Sequence, residues 1–220
     1  MASFFNLTLD TTAPAGLTLK LNNGAAYATS TAVTATIGLT DSVTTGYQMK
    51  IWGVAGAATE SEAAWATFVK SKAITLTTGD GQKTVSVKVR DDVGNETATV
   101  TAKITLDTAV PVVTITGPDK SKISKVATFN VSAFSFSANA DFEEYKIKVV
   151  PSESSLENAG TQIPVTAGST NTSGTAGGYK KDTAINVTIN GADLEAASSG
   201  DGVKIVKVFV KNAAGTWSVA

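Results

Sequence analysis

Gly79-Asp-Gly-Gln-Lys-Thr-Val-Ser-Val-Lys-Val-Arg90 returns later in the chain as Gly200-Asp-Gly-Val-Lys-Ile-Val-Lys-Val-Phe-Val-Lys211, an offset of 121 residues (200 − 79). Both stretches open on a glycine turn. Both then alternate β-branched with polar residues at period two, the pattern of a strand with one face buried. Each is followed at the same distance by a second glycine turn, Val93-Gly94-Asn95 and Ala214-Gly215-Thr216. Upstream, Leu7-Thr-Leu-Asp-Thr-Thr-Ala-Pro14 recurs as Ile104-Thr-Leu-Asp-Thr-Ala-Val-Pro111, and Gly46-Tyr-Gln-Met-Lys-Ile-Trp52 echoes Glu144-Tyr-Lys-Ile-Lys-Val-Val150. Matches in the same order at separated places describe two copies of one module.

The first pair is offset by 97 residues (104 − 7) against 121 for the later one, so the second copy carries a net insertion of 24 residues (121 − 97). Residues 151–181 are the place for it, because Gly168-Ser-Thr-Asn-Thr-Ser-Gly-Thr-Ala-Gly-Gly178 has the composition of a loop. The boundaries expected are 1–107 for the first domain and 108–220 for the second, with the inserted loop at 151–181. At the matching level of the first copy, Glu60 to Val69 places Ala64, Trp65, Phe68 and Val69 on one helical face, which predicts a short amphipathic helix over a sheet.

The remaining patterned segments are strands: 31–37, 97–104, 128–136 and 183–189 alternate in the same way. Gly94-Asn95 after Asp91-Asp92 supplies the positive-φ residues of a hairpin between the last two strands of the first copy. Several short strands per module, separated by Gly, Asp and Asn turns, predict an all-β sandwich in each half.

Two motifs together resemble the bacterial and bacteriophage immunoglobulin-like modules: the opening Asp10-Thr-Thr-Ala-Pro14 and the closing hairpin Val87-Lys-Val-Arg-Asp-Asp-Val-Gly-Asn-Glu96. The resemblance implies two tandem immunoglobulin-like β-sandwiches, with the first motif leading into strand A and the second forming the F–G hairpin. The second half departs from it, with Asn212-Ala-Ala-Gly-Thr-Trp217 in place of the acidic turn. Modules of this kind occur in adhesins, in enzyme accessories and on capsid and tail proteins of tailed phages, so the motif specifies fold better than function.

Composition narrows the chemistry. With 18 basic and 19 acidic residues in 220, and Arg90 the only arginine, there is no electrostatic footprint for nucleic acid or anionic lipid. The chain contains no cysteine and no histidine, which removes disulfides, thiolate nucleophiles, sulfur-based zinc sites and the commonest general base. No stretch approaches the roughly 18 apolar residues of a membrane span, so membrane insertion is not expected. The N-terminus lacks the pattern of a secretory signal.

Candidate sites are correspondingly few. Asp10, Asp91, Asp92 and Asp107 sit at turns and module entrances, where capping is the expected role because calcium needs about six to eight converging oxygens. Glu143 and Glu144 are adjacent on a strand and point to opposite faces, so they cannot act as a catalytic pair. The Gly79-Asp-Gly81 and Gly200-Asp-Gly202 turns lack the following helix and the Gly-Lys-Ser/Thr of a phosphate loop. No catalytic residue, cofactor or metal site is expected. Trp52, Trp65 and Trp217 are candidate sugar-stacking rings, with Trp65 assigned to the core and Trp52 and Trp217 kept as glycan contacts. Phe4, Phe5, Leu7 and Leu9 form an apolar, strand-prone run with two readings. It is an ordinary A strand folded back on the first domain, or an arm that adds to another subunit's sheet edge.

The function expected from these readings is a non-enzymatic structural protein of a tailed phage particle. A capsid decoration protein comes first and a tail or baseplate component next. Its partners would be other virion proteins, with host-surface glycans a weaker class. It would be made in a host cytoplasm without an export signal and reside on the virion. The alternative is a bacterial extracellular adhesion or carbohydrate-binding module.

Overall fold

The computed structural model describes residues 5–126, 129–164, 173–174 and 177–219. The chain divides into two compact units, Met1–Thr108 and Ala109–Ala220.

The first unit is a two-sheet sandwich. One sheet has the order β1 (Thr18–Leu21), β3 (Ala32–Gly38), β6 (Ser71–Thr75). The other runs β2 (Tyr27–Ala28), β8 (Val100–Leu106), β7 (Gly81–Arg90), β4 (Gln48–Trp52), β5 (Ala66–Thr67). Neighbours are antiparallel except β2, which lies parallel to β8. This is the immunoglobulin-like order, with strands A, B and E facing A′, G, F, C and C′. Alternation built it: Val85, Val87 and Val89 of β7 and Ile104 and Leu106 of β8 point inward to meet Leu21, Val33, Ala35 and Ile37. At the β7–β8 turn only Gly94 takes a positive φ, +96°. Asn95 contributes its side chain instead, donating from Nδ2 to Asp91 Oδ2 at 2.8 Å.

The expected helix at 60–69 does not form. Glu62 accepts from the backbone N–H groups of Ala58 (2.8 Å) and Thr59 (3.0 Å), closing a single turn. Ala66 and Thr67 then pair with Met49 and Gln48 as β5, and Phe68 is buried in the core. A ten-residue helix is marginal alone, and the vacant edge of β4 offered sheet hydrogen bonds together with a core position for Phe68. The helical spacing of Ala64, Trp65, Phe68 and Val69 was coincidental: Ala64 and Val69 are exposed.

The second unit repeats the architecture with differences. One sheet has the order β14 (Ile185–Asn190), β10 (Val131–Ala138), β9 (Val113–Thr116). In the other, β11 (Glu144–Val150) pairs on one side with β12 (Thr161–Gln162) and β13 (Ser173–Gly174) and on the other with β15 (Ile205–Lys211). The one α-helix among the described residues lies here: α1 (Gly191–Ala197) joins β14 to β15, capped by Asn190, whose Oδ1 accepts from Asp193 N at 2.9 Å. The insertion is held against the outer edge of β11. Its Ile163 is fully buried, and Tyr179 stacks on Phe142 with ring centroids 4.9 Å apart. A side chain at Gly174 would collide with the Tyr145 ring and the Tyr179 hydroxyl. The stretch 168–178 expected as loop therefore contains a short strand, while residues 168–172, 175 and 176 lie outside the described residues.

Candidate functional site

Of the carboxylates singled out in the sequence, Asp10 and Asp91 are engaged by their own turns. Asp91 Oδ1 accepts from Val93 N (3.0 Å) and Asn95 N (2.8 Å). Burial works to raise its pKa, but the hydrogen bonds from Asn95, Val93 and Gly94 outweigh it and hold the carboxyl below the ordinary range. Its counterpart Asn212 makes the same turn without charge, accepting from Thr216 N at 2.8 Å. Asp10 accepts from Thr12 N at 2.9 Å, and the backbone N–H of Asp107 donates to Ala28 O at 2.9 Å. Asp92 is exposed. Among the described residues no three His, Cys, Asp or Glu side chains gather where they could hold a metal. Glu143 is exposed, while Glu144 is paired with Lys211.

The tryptophans are distributed over the two units. Trp65 is half-buried beneath two cations, Lys50 Nζ at 5.3 Å and Arg90 Cζ at 4.4 Å from its ring centroid. Trp217 is covered in the same manner by Lys146 (4.6 Å) and Lys211 (5.2 Å). A ring capped by ammonium groups offers less face for a sugar to stack on. Trp52, the other glycan candidate, is half-buried at the end of β4. Among the described residues no helix is long and apolar enough to cross a membrane.

The apolar run at the N-terminus is different. From Asp10 onward the chain is tied down: Asp10 O accepts from Asn95 Nδ2 at 3.3 Å, and Ala15 N donates to Asp41 Oδ2 at 3.2 Å. Among the described residues before that point, 5–9, no strand forms, and Phe5, Leu7 and Leu9 are 85%, 87% and 85% exposed. Phe4 lies outside the described residues. The reading of this run as the A strand of the first unit is therefore corrected. Strand A is β1, beginning at Thr18 and pairing with β3. The reason is competition for the core: Leu19 and Leu21 fill the inward positions beside β3, which leaves the earlier residues no face to cover.

The repeat gives that exposure its meaning. By the offset of 97, Leu7 and Leu9 correspond to Ile104 and Leu106, each 1% exposed within β8. The same residue pattern is thus core in one place and solvent-facing in the other. In the second unit Lys211 bridges to Trp217 and Ser218 N donates to Val210 O at 2.8 Å, as Arg90 bridges to Glu96 and Thr97 N donates to Val89 O at 2.9 Å in the first. Among the described residues no strand runs along the outer edge of 203–208.

No protein-family profile and no curated protein matches the chain. Among solved structures, it is similar to chitinase ChiA74 from Bacillus thuringiensis, with 14% identity over 92% of this chain and 30% of that one, at a TM-score of 0.31. It is also similar to dimeric latent PorU from Porphyromonas gingivalis, with 13% identity over 97% of this chain and 20% of that one, at a TM-score of 0.29. The chain spans less than a third of either protein, and superpositions this loose transfer no activity.

Proposed function

We propose that this chain is a non-enzymatic structural protein of a tailed bacteriophage particle, a capsid decoration or tail component that attaches through its N-terminal arm. The observation that carries the reading is the arm itself. Phe5, Leu7 and Leu9 alternate with Asn6 and Thr8 and stand in solvent, while their repeat counterparts are core. A strand with one apolar face seeks a sheet edge, where main-chain pairing supplies affinity and alternate side chains set the register. The immunoglobulin-like sandwiches behind it supply two compact folded units, and Asp10 and Asp91 are occupied in holding turns. The phage setting rests on the resemblance of the Asp-Thr-x-x-Pro and Val87–Glu96 motifs to modules found on such particles.

The test is immunogold labelling and mass spectrometry of purified particles from the source culture, with a variant lacking residues 1–9 expressed in parallel. The chain should co-purify with particles at fixed stoichiometry, and the shortened variant should fold but stay in the supernatant. Recovery of the chain only in a secreted fraction free of particles would favour the extracellular adhesion module instead.

A further inference from the structure

We infer that Lys50 and Arg90, side by side on the outward face of β4 and β7, form a docking site for a side-chain carboxylate of a partner protein, carried on an acidic segment. The inference goes beyond the arm reading and makes no use of residues 5–9.

The second unit supplies the comparison. Lys211 corresponds to Arg90 by the offset of 121, and both end their strands in a bridge, Arg90 to Glu96 and Lys211 to Trp217. Cross-strand pairing carries the correspondence to the neighbouring strand. Arg90 pairs with Gln48 and Lys88 with Lys50, while Lys211 pairs with Glu144 and Phe209 with Lys146. Gln48 and Lys50 therefore hold the places of Glu144 and Lys146. Met49, Val87 and Val89 point into the core, so by alternation Gln48, Lys50, Lys88 and Arg90 all face outward.

Each unit sets an indole against this pair of cations. Trp65 lies 5.3 Å from Lys50 and 4.4 Å from Arg90, and Trp217 lies 4.6 Å from Lys146 and 5.2 Å from Lys211. The rings come from different segments, Trp65 from the stretch leading into β5 and Trp217 from beyond the turn that follows β15. The shared arrangement thus belongs to the sheet positions and not to one repeated tryptophan.

The units differ in what neutralises the cations. In the second, Lys211 is ion-paired with Glu144 and Lys146 with Glu157. Two charges meet two carboxylates, both supplied by the unit itself. In the first, Gln48 stands in the place of Glu144, and among the described residues neither Lys50 nor Arg90 has an ion-pair partner. The nearby acids Glu60 and Glu96 are paired with Lys88, at 2.8 Å and 3.7 Å. Gln48 Oε1 accepts from Arg90 Nε at 2.8 Å and from Nη2. That anchors one edge of the guanidinium and leaves Nη1 and the second Nη2 hydrogen as a fork, the shape that meets the two oxygens of a carboxylate. Two half-buried cations on one ring repel each other, and an incoming carboxylate relieves that repulsion.

The class of ligand follows from the same comparison. The Trp65 ring is already taken up by cations, so the site offers charge and not a stacking platform for a sugar. Both carboxylates that fill the matching place in the second unit are glutamate side chains. Arg90 is the only arginine of the chain, and arginine suits bidentate recognition of a carboxylate better than lysine does.

Hexaglutamate titrated into the full chain, followed by calorimetry and tryptophan fluorescence, tests the proposal. Binding should saturate and weaken as salt is added. Gln48→Glu, which copies Glu144 and gives Arg90 a carboxylate of its own, should fold normally and weaken binding roughly tenfold, the size of a lost charged hydrogen bond. Lys50→Gln/Arg90→Gln should abolish binding. Lys20→Gln/Lys72→Gln, which removes the same charge from exposed positions on the other sheet of the first unit, should leave it unchanged. No binding to the wild-type chain, binding unmoved by Gln48→Glu, or an equal loss in the Lys20/Lys72 variant would each overturn the proposal. Tighter binding of hexagalacturonate than of hexaglutamate would assign the site to an acidic sugar and overturn it as well. A chain that binds hexaglutamate as described but is absent from particles would sink the particle reading and leave this site standing, and a chain that joins particles through its arm without binding hexaglutamate would do the reverse.

Discussion

Ile104 and Leu7 hold one place in the repeat and opposite places in the folded chain, at 1% and 87% exposure. Truncating each to alanine therefore asks how far the arm belongs to its own sandwich. Ile104→Ala removes three carbons from the centre of the first core, opposite Lys83 and within the cluster containing Leu106 and Val85. Buried truncations of this size cost about 2–5 kcal/mol, the spread depending on how far the walls collapse. Leu7→Ala removes atoms already in water, and substitutions of that kind stay within about 0.5 kcal/mol. Urea unfolding of dilute protein, followed through the fluorescence of Trp52 and Trp65 in the first unit, measures both. A Leu7→Ala cost above about 1.5 kcal/mol, approaching that of Ile104→Ala, would show the arm packed within its own chain and refute the reasoning.

Other outcomes follow from the same structure. Expressed separately, residues 1–108 and 109–220 should each unfold cooperatively, because each is a compact unit with its own core; calorimetry of the two fragments checks this. Asp91, Asp119 and Asp141 all have pKa values lowered by hydrogen bonds or neighbouring lysines. Their stabilisation is present above the unfolded carboxylate pKa, about 3.9, and is lost as pH falls through the lower folded values; unfolding free energy should be flat near neutrality and drop below that point. Asp91→Asn, which copies Asn212, should retain the turn and remove part of the acid sensitivity, whereas Asp91→Ala should destabilise at neutral pH, as thermal melts at two pH values would show. Tyr179→Ala should cost at least the ~0.5–1.5 kcal/mol of its stack on Phe142 and expose the insertion to limited proteolysis.

What was legible in the sequence was what alternation encodes. Thr84 to Val89 and Ile205 to Val210 could only be strands, and β7 and β15 lie over them. The insertion was visible as a difference of offsets. Alternation fixes which face of a strand is buried but not which sheet receives it, so Leu7 and Leu9 could not be placed from their pattern. The helix at 60–69 failed because four apolar residues at helical spacing matched a face by chance while an edge strand competed for the same backbone. The true helix at α1 was missed although Asn190 and Asp193 form a recognisable start, a cap followed three residues later by an acidic side chain. Its seven residues are too few for periodicity to speak.

Amide hydrogen exchange at Leu7 and Leu9, read against their repeat counterparts Ile104 and Leu106, tests the central claim most directly. Ile104 and Leu106 pair with Lys83 and Gly81 across β7 and β8, whereas residues 5–9 form no strand. In the free protein Ile104 and Leu106 should be protected while Leu7 and Leu9 exchange freely. On purified particles protection should appear at Leu7 and Leu9. Equal protection at all four positions in the free protein, or none at Leu7 and Leu9 on particles, would contradict the account.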